Sequence, residues 1–415
     1  MELTEHVFRQ QSGRIIAALT RIFGLDNIAL AEDVAQDVFC RALEVWKLRG
    51  VPQNPSAWLM KAAKNRAIDL LRRERTARTL EPELRRHIES EWTMGAAVER
   101  VFSVETIADD QLRMMFSCCN PELSEETQVA LTLHLLCGFT TREIAAAFLC
   151  KRATIEKRIA RGKKLLAACK RLFDMADAEL QTRLHAVHRA LYLLFNEGYH
   201  SASATAAVRT ELCQEALRLA ELAAGNARVC TPATESLCAL MLLHAARLRA
   251  RVDANGNFVA LKHQDRSLWD ATMIARGNEY LDRSARGDEL SEYHVEAAIA
   301  SLHSSAGSEA ETDWQQLLWL YDLLMRVHPS PVVALNRAIA IAQKNGPASG
   351  MEAILAIPAS EQLARYPFFP AALGELELRA GHVERARRHF EAALAVARNP
   401  MERRFLEFRV EATAV

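Results

Sequence analysis

Nowhere in this 415-residue chain do apolar residues alternate with period two over the length of a strand. Instead they recur three and four positions apart, in stretches dominated by Ala, Leu, Glu and Arg, which is the spacing that lines one face of a helix. Only 16 Gly and 12 Pro interrupt the chain, so its breaks are few: Gly50 to Pro55, Glu81-Pro82, Asn120-Pro121, Asp253 to Gly256 and Asn345 to Pro347. The expected fold class is therefore all-α. The length suits two to four folded units, each large enough to bury a core.

Charge is distributed unevenly along a chain that is neutral as a whole, with 52 Lys and Arg against 52 Asp and Glu. A global field for nucleic acid or membrane is excluded, and any such attraction must be local. From Asp26 to Glu44 the acids Asp26, Glu32, Asp33, Asp37 and Glu44 face only Arg41. From Lys61 to Arg78 seven bases face Asp69 and Glu74, and from Lys151 to Arg171 nine bases face only Glu156. From about Leu180 onward the balance is even. The sequence thus sets out one acidic helix, two basic helices and a neutral helical second half.

Several function classes find no support. The first 20 residues carry Glu2, Glu5, Arg9 and Arg14, and no run of 18 uncharged apolar residues occurs, so neither a signal peptide nor a membrane span is expected and the location reads as cytoplasmic. The nine Cys form no C-x-x-C pair and suit reduced, buried thiols. Neither Cys118-Cys119 nor the pairs His185 with His188 and His294 with His303 has a third ligand at workable spacing, so no metal or cofactor is expected. A Gly-rich phosphate loop, a nucleophile elbow and paired catalytic carboxylates are all missing, which argues against an enzyme.

Placed at about 100° per residue, both basic helices gather their charge on one side. From Ser56 to about Arg75, Leu59, Met60, Ala63, Ala67, Leu70 and Leu71 share one arc, and Lys61, Lys64, Asn65, Asp69, Arg72 and Arg73 the other. Trp58 falls in the polar arc and reads as core. Asp69 reads as a structural partner of Arg72 or Arg73. The second region is a short capped helix, Thr141 to Phe148 with Thr140 or Thr141 as N-cap, then a helix from Arg152 with Ile155, Ile159, Gly162 and Leu166 in one stripe. Thr154, Lys157, Arg158, Arg161 and Lys164 lie opposite. One helix braces while the next presents a basic face of a width that fits the DNA major groove, as in a helix-turn-helix. Leu149 stands where the turn often has Gly.

The order of these parts resembles the extracytoplasmic-function type of RNA polymerase sigma factor, in the sigma-70 family. The resemblance rests on Ala31-Glu32-Asp33-Val34-Ala35-Gln36-Asp37-Val38-Phe39 with Trp46, on Asn54-Pro55-Ser56-Ala57-Trp58-Leu59 with Asn65 to Arg73, and on Thr141 to Ala145 with Ala153 to Leu165. It implies a region 2 module over 1–78, a linker over 79–110 and a region 4 helix-turn-helix over 111–178. The partners it implies are core RNA polymerase, through the beta-prime clamp helices and the beta subunit, and promoter DNA. Asp33, Gln36 and Asp37 would meet polymerase, while Ala35, Phe39, Leu43 and Trp46 face the core. Lys61, Lys64, Asn65, Arg72 and Arg73 would hold the -10 element, and Arg152, Thr154, Lys157, Arg158, Arg161 and Lys164 would read the -35 element. A helix-turn-helix regulator or repeat-type adaptor that never touches polymerase is the alternative.

Residues 179–415 exceed that architecture. Leu373-Gly374 with Ala386, Phe390 and Ala393 matches much of the tetratricopeptide pattern, and Ala334 to Ala340 looks like part of another repeat. A helical, tetratricopeptide-like solenoid that regulates the factor is expected. Leu191 to Tyr199 resembles the extension of one sigma group often encoded beside YCII-related (DGPF) proteins, which become candidate partners. Asn196-Glu197-Gly198 alternatively reads as a helix C-cap, with Gly198 at positive φ.

Overall fold

A computed structural model describes residues 2–73, 98–148, 150–168, 177–200, 208–253, 258–358, 363, 366–397 and 400–413. Among these residues the chain is helical throughout, and its β structure is confined to a single antiparallel bridge between Val252 and Phe258. Two units emerge, Met1–Leu194 and Phe195–Val415.

The first unit begins with α1 (Glu2–Phe23), α2 (Ile28–Arg49) and α3 (Pro55–Arg73). Asn54 starts α3 by accepting the Ala57 N–H at 2.9 Å, with Pro55 as the first helical residue. Aromatic rings fasten the three helices: Phe8 stacks on Phe39 at 4.8 Å, and Trp46 meets Trp58 edge-on at 5.6 Å. The buried arc of α2 is Ile28, Ala31, Val34, Ala35, Val38, Ala42 and Trp46. Leu43, expected in the core, is 52% exposed. It sits one position off that arc and forms the lip of a surface groove instead.

Four further helices follow in the first unit: α4 (Val104–Cys118), α5 (Glu125–Leu135), α6 (Thr141–Ala147) and α7 (Arg152–Ala168). Ser103 caps α4 by accepting the Thr106 N–H, which places the start of this helix inside the expected linker. Residues 79–97 of that linker lie outside the described residues, as does Leu149. The α7 stripe is buried as its periodicity predicts, at Ile155, Ile159, Gly162 and Leu166. Gly162 lies against Leu131 of α5, so close that a Cβ would come within 2.4 Å of it.

Helix α1 also packs on α4 and α5. At Gly13 a Cβ would stand 2.0 Å from the Leu136 carbonyl oxygen, a backbone atom that has no rotamer by which to yield. Gly13→Ala is therefore expected to push the two helices apart and cost about 2 kcal/mol. A denaturant melt resolves a loss of that size, and a variant as stable as the parent refutes this account of the contact.

A continuous helix, α8 (Asp177–Tyr199), passes from the first unit into the second, so the division at Leu194 falls inside it. The second unit continues through α9 (Thr210–Ala224), α10 (Pro232–Ala245), α11 (Ala271–Ser284), α12 (Glu292–Ser305), α13 (Trp314–Val327), α14 (Pro331–Asn345), α15 (Pro347–Leu355), α16 (Phe368–Arg379), α17 (Val383–Ala395) and α18 (Pro400–Glu411). Successive helices pair as hairpins. In the hairpin of α16 and α17, Gly374 receives the Phe390 ring, and Ala386, Phe390 and Ala393 are fully buried, as the repeat pattern predicts. Gly198 differs from its expectation. It lies within α8 and is not among the positive-φ glycines. It serves a close crossing, where a Cβ would meet Leu212, Cys213 and the Arg209 carbonyl at 2.8 Å.

Candidate nucleic-acid and protein interface

Burial of one stripe on each helix decides what the opposite face offers. On α2 the apolar arc turns Asp33, Gln36 and Asp37 outward, and all three are exposed. Asp37 accepts a hydrogen bond from Arg66 of α3 at 3.1 Å, tying the acidic face to the first basic helix. On α3, Lys61, Asn65, Asp69 and Arg72 are exposed at spacings of four, four and three, so they form one strip. Lys64 is half-buried and its Nζ pairs with Glu99, a carboxylate 35 residues away that local charge patterning does not reveal. Asp69 makes no ion pair with Arg72 among the described residues, and the Arg73 side chain lies outside them.

On α7 the polar face is complete. Arg152, Thr154, Lys157, Arg161 and Lys164 are exposed and Arg158 is half-buried. Arg152 bonds Glu156 one turn on at 2.7 Å, which leaves the other cations facing solvent with a single acid among them. The bracing helix α6 starts with a reciprocal cap: the Glu143 N–H donates to Thr140 Oγ1 at 3.3 Å, and the Thr140 N–H donates to Glu143 Oε2 at 2.8 Å. Thr140 is thus the N-cap.

The sequence gives no sign that these two modules bind each other through charged residues. The other Glu143 oxygen receives Arg9 of α1 at 2.6 Å, and Arg9 lies over the Phe139 ring at 4.5 Å. Glu32 of α2 accepts Lys163 of α7 at 2.6 Å and faces His134 Nε2 of α5 at 3.0 Å, while His134 Nδ1 meets the Phe139 carbonyl at 2.9 Å. Apart from His134 with Phe139, these partners are more than 100 residues apart, beyond the reach of helical periodicity. Next to this seam a groove of about 560 Å³ is lined by Phe8, Arg9, Gln36, Phe39, Leu43 and Glu143 among others.

Burial alone would raise the Glu32 pKa, but the hydrogen bonds from His134 and Lys163 and their charge outweigh it and hold the carboxyl below its usual 4.5. A folded-state pKa below the unfolded one stabilises the contact at pH above the ordinary carboxylate value, and that contribution is lost as pH falls through the folded value. The stability advantage of the parent over Glu32→Gln should accordingly be full at neutral pH and vanish in acid below the usual carboxylate range. Paired thermal melts across pH test this, and a gap that persists unchanged in acid removes Glu32 from the account.

Burial pushes Cys119 up to about 12 and takes His188 down to about 3. Among the described residues no three His, Cys, Asp or Glu gather as metal ligands, and no helix is long and apolar enough to cross a membrane.

Comparison with known proteins divides the chain in the same order. Residues 7–77 match the family described as Sigma-70 region 2, residues 113–166 match Sigma-70, region 4, and residues 183–285 match a family of unknown function (DUF6596). An uncharacterized protein of Rhizobium meliloti (strain 1021) is 38% identical over 400 residues, spanning 95% of this chain and 92% of its own length.

Proposed function

This chain belongs to the sigma-70 family, as an extracytoplasmic-function type sigma factor with a C-terminal extension that directs RNA polymerase to promoters, and from that premise we propose how its surfaces divide the task. Asp33, Gln36 and Asp37 on α2 meet the beta-prime clamp helices of the polymerase, where an acidic, polar face suits a basic partner. Lys61, Lys64, Asn65, Arg72 and Arg73 hold the opened -10 element. Trapping one strand there offsets the stacking and pairing lost on opening, with the cations on phosphates and the Asn65 amide offering both a donor and an acceptor to a base edge. Arg152, Thr154, Lys157, Arg158, Arg161 and Lys164 enter the major groove of the -35 element. The observation that supports this reading best is α7 itself, with a fully buried stripe at Ile155, Ile159, Gly162 and Leu166 beneath a cationic face presented to solvent.

Sigma factors act by positioning polymerase and carry out no covalent chemistry themselves; we assign this chain to the cytoplasm, where its polymerase and template are. The second unit regulates the factor, and a YCII-related (DGPF) protein is its candidate partner. In vitro transcription with core polymerase, comparing full length with a truncated chain, tests both assignments. The cut belongs after Leu194 and not near residue 178. The first half of α8 belongs to the first unit, its Leu184 and Val187 are buried, and Arg183 donates to the Phe116 carbonyl at 3.3 Å. The truncated chain should still bind polymerase and protect the same promoter but show altered output. Failure of the full-length protein to select a start site on core polymerase overturns the reading.

A further inference from the structure

Buried charge in the second unit is neutralised wherever an acid is involved. Glu235, fully buried at the start of α10, is met by Arg283 at 2.5 Å and Arg286 at 2.7 Å. Glu377 is met by His382 at 2.7 Å and Arg385 at 3.6 Å. One group of cations breaks this rule. Arg247 and Arg251, just beyond the end of α10, are each 6% exposed and make no ion pair with a carboxylate among the described residues. Their partners are neutral. Arg247 donates to the Tyr199 hydroxyl at 3.0 Å and to His244 Nδ1 at 2.6 Å, and Arg251 donates to the Tyr199 carbonyl at 2.9 Å while lying 3.7 Å over its ring. A third guanidinium, that of Arg266, lies 4.6 Å from the Trp269 ring centre on which Arg247 also converges at 5.7 Å, and it bonds the His303 and Ala306 carbonyls. Neither the stretch 201–207 after His200 nor 254–257 before Phe258 contains an acidic residue.

The atoms left unmatched in this group are all donors: Arg247 Nε, Arg251 Nε and Trp269 Nε1, each buried. A buried donor without an acceptor is destabilising, and a buried cation without a counterion more so. The mutual field of these cations shows at their neighbours. Burial first, then Arg247 and Arg266, takes His303 down to about 4, and burial first, then Arg247, holds His244 well below its usual range. An anion would satisfy all of this at once, and the planar fork of a guanidinium fits phosphate or carboxylate oxygens in pairs. At the edge of the group Arg266 and His303 are half-buried and His200 is exposed.

We propose that Arg247, Arg251 and Arg266, walled by Tyr199 and Trp269, form a binding site for a small oxyanion ligand, one bearing a phosphate or a carboxylate group. The site lies within the segment matched to the family of unknown function and makes the second unit a sensor of an anionic small molecule.

The test uses full-length protein in thermal melts at fixed ionic strength, with chloride as reference and inorganic phosphate or malonate as probe. A saturable rise of about 3 °C at millimolar probe is expected. A response to phosphate alone indicates a phosphorylated ligand, and one to malonate alone a carboxylate. Arg251→Met should abolish the response. Should that variant not fold, Arg266→Gln at the half-buried edge should retain the fold by circular dichroism and weaken the probe at least tenfold in calorimetry. The proposal is overturned if neither anion exceeds chloride, or if Arg266→Gln responds like the parent. It is equally overturned if the response is lost in Arg158→Ala/Arg161→Ala, which would place the anion on α7.

Discussion

Reversing Asp33 and Asp37 together to Arg is expected to abolish co-migration with core polymerase, weakening the complex by at least ~100-fold, or about 3 kcal/mol. Both side chains are exposed on α2 beside Gln36, so the change replaces attraction with repulsion at the centre of the assigned contact without opening a cavity. The cost to the fold should be small. Among the described residues the ion pair lost is Asp37 with Arg66, whose side chains are 62% and 35% exposed, and pairs so exposed contribute about 0–1 kcal/mol. Duplex binding through α7 should persist. Gel filtration with core polymerase and a melt of the variant alone separate these effects, and retention of the complex would remove α2 from the polymerase contact.

Removing Arg158 and Arg161 should weaken binding to -35 duplex by roughly 10- to 100-fold, and the slope of log affinity against log salt should become shallower by about 1.8, for two phosphate contacts. The informative comparison lies on the same helix. Lys163 faces away from the proposed DNA surface and is bound to Glu32 at 2.6 Å, so Lys163→Ala should leave the salt slope unchanged while loosening the contact between the modules. Equal slopes for the parent and the double variant would defeat the assignment of the α7 face.

What the sequence discloses is what repeats at short range. The α7 stripe, the outward acids of α2 and the Phe390 hairpin follow from the 3.6-residue period, because one helix face must be buried whatever it packs on. What depends on which surfaces meet is invisible to that period. Leu43 reads as core because it is apolar and adjacent to the buried arc, but Ala42 holds that place and Leu43 is left at the groove. Gly198 reads as a helix end because glycine usually permits one, and here it permits a crossing. The seam of Arg9, Glu32, His134, Glu143 and Lys163 joins segments that each look like an ordinary charged surface. Arg247, Arg251 and Arg266 escape notice for the same reason: a neutral average over the second half says nothing about whether its cations and acids lie side by side.

Glu143 carries a consequence for inheritance. One of its carboxylate oxygens closes the cap of α6, and the other holds Arg9 of the opposite module. A change to Gln would keep an acceptor for the cap and give up the charge, while a change to Ala would forfeit both. Positions 9 and 143 are thus not free to drift separately, and among descendants of this gene a basic residue at the first should accompany an acid at the second.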